Sequence, residues 1–159
     1  MLARTPRRSS GFSLIELVIV VVIIGIIGAI AIPRLSRGAA GAADSALVGD
    51  LAVMRNAIDL YATEHGGTYP AIGTIEAQLT QYSDAAGNTS ATKDATHIYG
   101  PYIRKIPALS VGAEVGETAF TAALGTADCG WVYTAASGAI TANTGALEKD
   151  AAGTAYNAY

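Results

Sequence analysis

The residues that could do chemistry are few and scattered. The chain has two histidines and one cysteine, and both histidines are isolated from any nucleophile. No glycine-rich phosphate loop follows a strand pattern, and no metal-ligand cluster has a recognisable spacing. We therefore expect no catalytic site. The unusual carboxylate is Glu16, because it lies in a long apolar run where a charged group needs a partner.

This apolar run is long enough to cross a bilayer. From Leu17 to Ile32 there are 16 residues without a charge or a hydroxyl group. Extension back to Phe12 gives 21 residues, or about 31 Å of helix, the thickness of a hydrocarbon core. Three arginines precede the run, namely Arg4, Arg7 and Arg8. The positive-inside rule then predicts a cytoplasmic N-terminus, with the remaining chain on the other side.

Two ordinary membrane segments fit the run less well. A cleaved secretory signal peptide needs an apolar region of about 7–15 residues followed by a small-x-small site, whereas this run is longer and ends in Ile32-Pro33-Arg34. A plain single-span anchor explains the length and the arginines. It leaves Glu16 unexplained, since a carboxylate costs about 2.5–3.5 kcal/mol at a helix centre and less near an end.

The segment Gly11–Leu35, GFSLIELVIVVVIIGIIGAIAIPRL, resembles the N-terminal signature of type IV pilins and of the pseudopilins of type II secretion. The resemblance implies that a prepilin peptidase cuts between Gly11 and Phe12 and N-methylates Phe12. The new amine then lies four residues before Glu16, near the helix N-terminus, where a negative charge is favoured. In the family that this segment resembles, the glutamate pairs with the N-terminal amine of a neighbouring subunit.

The resemblance implies a homo-oligomer, a helical filament. Its other expected partners are membrane lipid before assembly, an inner-membrane assembly platform and minor pilins or pseudopilins. The expected location is the bacterial inner membrane, crossed once, and then a periplasmic or extracellular filament. No basic patch follows the leader, and direct nucleic-acid binding is not expected.

Three functions remain open at this point. One is a major pseudopilin of a type II secretion system, and another is a type IV pilin for adhesion, twitching or DNA uptake. The missing second cysteine, the short head and the sequence GPYIRKIP favour the pseudopilin. A function of another class is a monomeric, membrane-anchored periplasmic binding module.

The composition along the chain predicts four sections in an α+β protein. Residues 1–11 form a basic leader that is cleaved, and residues 12–33 form the transmembrane and filament-core helix. Residues 34–65 continue the helix as an amphipathic section. Residues 66–159 form a small head, about 95 residues in which the long helix packs on a small antiparallel sheet.

The long helix has a predicted weak section and a predicted end. Gly25, Gly28 and Pro33 mark a helix break, because proline removes a backbone bond and each glycine lowers helix propensity. This section either packs closely against other helices or stretches during assembly, and the two readings are compatible. The helix is expected to stop at His65, as a cap, followed by Gly66.

One apolar stripe is expected on the amphipathic section. Its members repeat at spacings of three and four residues: Leu47, Leu51, Met54, Ile58 and Tyr61. In the head, the same spacing predicts a second helix over Ile72–Tyr82. Residues 83–97 have few large apolar side chains and predict a solvated loop.

The last third of the chain predicts one hairpin. Trp131–Tyr133 and Ala139–Asn143 are its strands, with a turn at 136–138. Residues 144–159 are expected to form a tail that is surface-laid or mobile. Cys129 is expected to be a buried small residue rather than an intermolecular bridge.

Calcium is the one cofactor that the sequence suggests, without a motif to support it. Many major pseudopilins, which this chain resembles, bind calcium in loops of the C-terminal sheet. The candidate ligands are Glu114, Glu117 and Asp128, because carboxylate oxygens suit this cation.

Overall fold

The computed structural model describes residues 11–159, apart from the side chains of Pro33, Ser36 and Arg37. The other residues of the predicted leader lie outside the described part. Helix α1 spans Leu14–Glu64. The chain divides after Ala39, so that residues 40–64 of the helix belong to the compact C-terminal unit, Ala40–Tyr159. Helix and small sheets together confirm the predicted α+β class.

The remaining elements are short. They are α2 (Ile75–Thr80), β1 (Tyr82–Ser83), β2 (Thr89–Ser90), β3 (Phe120–Thr121), β4 (Trp131–Thr134), β5 (Ala139–Ala142) and a final 3₁₀ helix (Tyr156–Ala158). Strands β1 and β2 form one antiparallel pair, and β3, β4 and β5 form a second sheet in that order. With so few ladder bonds, the C-terminal unit depends on packing against α1 and on side-chain bonds within its loops.

Helix α1 ends as the sequence predicts. The N–H of Gly67 donates to the carbonyl oxygen of Ala62 at 2.7 Å, and Gly66 has a φ of 64°. A bond five residues back across a left-handed residue is the Schellman arrangement. Glycine is needed at residue 66 because a Cβ atom disfavours this backbone conformation.

The predicted stripe of α1 forms one side of the core. All five of its residues are at most 2% exposed. They pack with residues from the loops and the second sheet, notably Ile106, Leu109, Trp131 and Ile140. Periodicity alone identified this face, because a helix that buries one side must repeat apolar residues every three to four positions.

The predicted hairpin is confirmed and extended by one neighbour. Strands β4 and β5 pair antiparallel, with Trp131 opposite Ala142 and Thr134 opposite Ala139. The two polar atoms of its large aromatic residues are satisfied by distant carbonyl groups. Trp131 Nε1 donates to Pro107 O at 2.9 Å, and Tyr133 Oη donates to Pro70 O at 2.9 Å. Burial raises the pKa of Tyr133 to about 12, so this phenol remains a donor.

The sheet is mixed, whereas an antiparallel sheet was predicted. Strand β3 pairs parallel to β4, with Phe120 opposite Trp131. Parallel neighbours usually need a long crossover, but here each strand contributes only two paired residues, and a loop over 122–130 is sufficient. Gly130 allows the close approach, since an added Cβ would lie 2.3 Å from the carbonyl oxygen of Glu117.

The second helix is shorter than predicted. It covers only Ile75–Thr80, and Ile75 and Leu79 are its buried apolar residues. Ile72 is 38% exposed and precedes the helix in a turn. Tyr82 belongs to β1, because the chain is already extended at Gln81 (ψ 176°). Apolar spacing predicted the contacts of this segment but not the extent of its helix.

The prediction of a solvated loop over 83–97 is wrong at its start. Tyr82 pairs with Ser90, and Ser83 pairs with Thr89. The turn between them is held by Asp84, whose Oδ1 accepts the N–H groups of Ala86 and Asn88, each at 2.9 Å. An aspartate that bonds its own turn can form a hairpin without large apolar residues.

The C-terminal tail lies on the helix. Arg55 Nη2 donates to Tyr159 O at 2.7 Å and to Ile140 O at 3.1 Å. Tyr156 Oη donates to Asp44 Oδ1 at 2.7 Å, and this bond raises the pKa of Tyr156 to about 12. Of the two predicted states, the structure therefore shows the surface-laid tail.

Asn143 joins three loop positions at the end of β5. Its Oδ1 accepts the N–H of Gly125 at 2.7 Å, while Nδ2 donates to Thr126 O at 2.7 Å and to Cys129 O at 2.6 Å. The next residue, Thr144, is 2% exposed. Its Oγ1 is the one buried side-chain N or O atom within residues 11–159 that has no hydrogen-bond partner.

Replacing Thr144 by valine is expected to stabilise the C-terminal unit by about 1 kcal/mol, because an unpaired buried hydroxyl costs about that much or more. Chemical denaturation of the full chain in detergent measures the change. Thr144→Ser is the matched control. It keeps the unpaired hydroxyl and removes the methyl group that faces Gly112, so it should lower stability. A valine variant less stable than the parent protein would show that the hydroxyl is satisfied in solution.

Candidate processing and assembly site

The predicted cleavage site lies just before α1. Residues 11–13 have no regular secondary structure and are exposed, and the side chain of Phe12 is 88% exposed. An added Cβ at Gly11 would meet no atom within 4 Å. A bond in an exposed segment without secondary structure is the type that peptidases reach. The geometry is therefore compatible with processing between Gly11 and Phe12.

The first turn of α1 contains a capping interaction that sequence reasoning missed. The backbone N–H of Ser13 donates to Glu16 Oε2 at 2.9 Å. Ser13 directly precedes the helix and Glu16 is its third residue, which is the spacing of a capping box. The signal was visible as Ser13-x-x-Glu16 before an apolar run. Glu16 thus caps its own helix in the single chain, and its other oxygen remains available for a cation.

The apolar residues after Glu16 have no partners within the described chain. Leu14–Ile32 is a 19-residue segment of mean hydropathy 3.1, and none of the window that identifies it is buried. By length and composition it can cross a membrane. Glu16 is the only charged residue in this segment. Such a surface needs lipid or other helices around it, because water penalises exposed apolar area.

The predicted weak section is helical in the structure. The helix assignment continues through Gly25, Gly28 and the backbone of Pro33. An added Cβ at Gly25 or Gly28 would meet nothing within 4 Å. These glycines therefore leave open space that a neighbouring helix could occupy. The helix break during assembly stays a prediction.

The three calcium candidates do not form a cation site. Glu114 Oε2 accepts the backbone N–H of Asp128 at 3.0 Å. Glu117 is tied to Leu109 through its backbone, with Leu109 N–H donating to Glu117 O at 2.9 Å. Within residues 11–159, no three side chains of His, Cys, Asp or Glu come close enough to hold a metal. The fit to calcium is poor, and no step of the function depends on it.

The other two singled-out residues belong to the C-terminal unit. His65 follows the last residue of α1, is 8% exposed, and has Nδ1 2.8 Å from Tyr61 O. It therefore acts at the helix end, as expected for a cap. Cys129 is half-buried rather than buried, with Sγ 4.0 Å from Phe120 O. Neither residue lies in a cluster that could do covalent chemistry.

The comparison with protein families supports the N-terminal geometry. Residues 6–32 match the family model of the prokaryotic N-terminal methylation motif. No curated protein and no solved structure matches the chain. The matched segment includes Gly11, Phe12 and Glu16, and so covers the exposed bond, the capped helix start and the unpartnered apolar surface described above. The chain thus carries the prokaryotic N-terminal methylation motif, which is the signature of type IV pilins and pseudopilins.

Proposed function

We propose that this protein is the major pseudopilin of a type II protein secretion system, a structural subunit that polymerises through its N-terminal helix. The observation that carries the proposal is the pairing of a methylation motif with Glu16, the one charge on an otherwise apolar and unpartnered helix surface. A buried carboxylate requires a cation. The amine created at Phe12 by cleavage is such a cation, and it forms only when the leader is removed.

The proposed assembly uses the two ends of α1 differently. The segment Leu14–Ile32 leaves the bilayer and packs among identical segments of other subunits, which replace lipid around its side chains. Glu16 then sets the register by pairing with the Phe12 amine of a neighbour. The C-terminal unit remains in water, since its core is already closed by the stripe of α1. The protein does no chemistry in this role.

The choice of a pseudopilin over a surface pilin depends on the head. Cys129 is the only cysteine, so the disulfide that closes the C-terminal loop of many major pilins cannot form within this chain. The head is short, and the segment GPYIRKIP over 100–107 resembles that of major pseudopilins. We propose the matching partners: prepilin peptidase, an inner-membrane platform and minor pseudopilins. The N-terminus of the precursor is cytoplasmic, and the filament is periplasmic.

Mass spectrometry of the membrane-extracted protein is expected to show a chain that begins at Phe12 and carries one N-terminal methyl group. Gly11→Val should leave the full-length precursor, because a peptidase that cuts after glycine must accommodate that residue closely. The new side chain meets no atom of the protein itself. Gly38→Ala, also in open space but outside the matched segment, is the control and should be processed normally. A chain that retains Met1, or begins after a later small residue, would exclude the proposal.

Electron microscopy separates the remaining functions. Sheared cells should lack long surface fibres at native expression and should show fibres when the protein is overproduced. Long fibres at native expression would identify a type IV pilin instead. Processed protein that never forms fibres under either condition would identify a monomeric membrane-anchored module.

A further inference from the structure

The imidazole of His65 joins the end of α1 to the β1–β2 hairpin. Its Nδ1 lies 2.8 Å from Tyr61 O, and its Nε2 lies 2.9 Å from Asp84 O. A third contact places Ser83 Oγ 3.2 Å from Nε2. Both His65 and Ser83 are buried, at 8% and 0% exposure. The ring therefore spans two chain segments with both of its nitrogens engaged.

The two carbonyl groups restrict the protonation state of this ring. A carbonyl oxygen only accepts hydrogen bonds, so each ring nitrogen must carry a proton to bond its carbonyl group. A neutral imidazole has one N–H and one lone pair. With the proton on Nδ1, the Nε2 lone pair can accept from the Ser83 hydroxyl, but it then faces the oxygen of Asp84 at 2.9 Å without a proton between them.

We propose that His65 is a proton-dependent latch, which holds the β1–β2 hairpin against the end of α1 as a doubly protonated imidazolium and releases it on losing a proton. The consequence is a C-terminal unit whose local order follows the pH of the compartment into which it is exported. This inference depends on the geometry of the C-terminal unit and not on the proposed role in secretion.

Several features of the site favour the charged ring. His65 lies at the C-terminal end of α1, where the helix dipole attracts a cation. Its ring stacks on that of Tyr61, with centroids 3.8 Å apart and planes inclined by 8°, and lies 5.1 Å from the ring of Tyr99. Aromatic faces stabilise a cation that is removed from water. These interactions offset the burial of the ring, which alone would favour the neutral form.

The titratable neighbours keep their charge while His65 changes its own. The Asp84 carboxylate has a lowered pKa, chiefly because the Asn88 side chain donates to it, and it remains negative. Burial, and then the charge of Asp84, raise the pKa of Tyr61. Tyr102 donates to Glu64 Oε2 at 2.6 Å, and its raised pKa, chiefly from burial, keeps it neutral.

The sign of the pH effect follows from these contacts. The folded protein holds the second proton of His65 through two carbonyl acceptors, which the unfolded chain does not offer in that arrangement. The stabilisation is therefore present in the acidic range and is lost as the pH rises through the titration of this histidine. Carboxylates such as Asp84, with a lowered pKa, contribute in the opposite direction only at more acidic pH.

Nitrogen NMR of the full chain in detergent, labelled with ¹⁵N-histidine, tests the proposal without a substitution. The chain has two histidines, and a His97→Gln variant assigns their signals. At about pH 5, both ring nitrogens of His65 should show the shifts of an imidazolium. At about pH 8 they should show one protonated nitrogen, together with broadened amide signals in β1 and β2. A neutral His65 ring at both values would overturn the proposal.

Thermal unfolding provides a second and independent readout. The parent protein should unfold at a higher temperature at about pH 5 than at about pH 8. His65→Gln should lose most of that difference, since glutamine can donate to one carbonyl but never gains a charge. His97→Gln is the control and should retain the difference, because His97 bonds Asp94 within its own turn. Equal pH dependence in the parent protein and His65→Gln would reject the latch.

Discussion

Glu16→Ala is expected to leave membrane insertion intact and to abolish filament assembly. Insertion should become easier, because the substitution removes the one charge from the apolar segment. Assembly should fail, because the Phe12 amine of each neighbour would be buried without a partner. Breaking a buried ion pair costs about 3–5 kcal/mol, which lowers an association equilibrium at least about a hundredfold. Filament yield from sheared cells, quantified against membrane-bound monomer, measures the loss.

The capping interaction makes a second variant necessary. In the structure, Glu16 bonds the N–H of Ser13, so alanine removes both a helix cap and a charge. Glu16→Gln separates the two roles, because its carbonyl oxygen can still accept from Ser13 while it carries no charge. We expect glutamine to fail as alanine does. Normal filament yield with glutamine would assign Glu16 to capping alone, and normal yield with alanine would remove Glu16 from assembly altogether.

Leu51→Ala is expected to destabilise the C-terminal unit by about 2–5 kcal/mol, the usual cost of emptying a core leucine site. Leu51 is 1% exposed and belongs to the cluster in which α1 meets the second sheet. Such a loss is a large part of the total stability of a small domain. Denaturant unfolding of the full chain in detergent, followed by the fluorescence of the buried Trp131, measures it.

The same helix offers a matched control in Leu60, which is 49% exposed. Leu60→Ala removes the same atoms with the same effect on helix propensity but empties no core site. We expect it to change the free energy of unfolding by about 0.5 kcal/mol or less. If both variants lost stability equally, the outer face of α1 would also be buried in the detergent-solubilised protein, which would indicate association between chains.

Patterns that repeat within a helix or a turn were readable without a structure. The apolar run before Pro33, the stripe that includes Leu51 and the end of α1 at Gly66 each follow from the local geometry of one helix. The hairpin of β4 and β5 was readable for the same reason, because alternation and a short turn are local. The capping box at Ser13 was also local, but attention to the charge of Glu16 hid it.

Contacts between distant segments needed the tertiary structure. Nothing near Arg55 indicates that it bonds the carbonyl groups of Ile140 and Tyr159, and nothing near Phe120 indicates a parallel neighbour. His65 is the clearest case. Its place after α1 predicted a cap, whereas its second carbonyl group comes from Asp84, 19 residues later. The sequence by itself determined the helix, its apolar surfaces and the methylation motif, because these depend on neighbours along one element. Only the fold decided which polar groups meet in the core, because that depends on how loops without a repeating pattern close over α1.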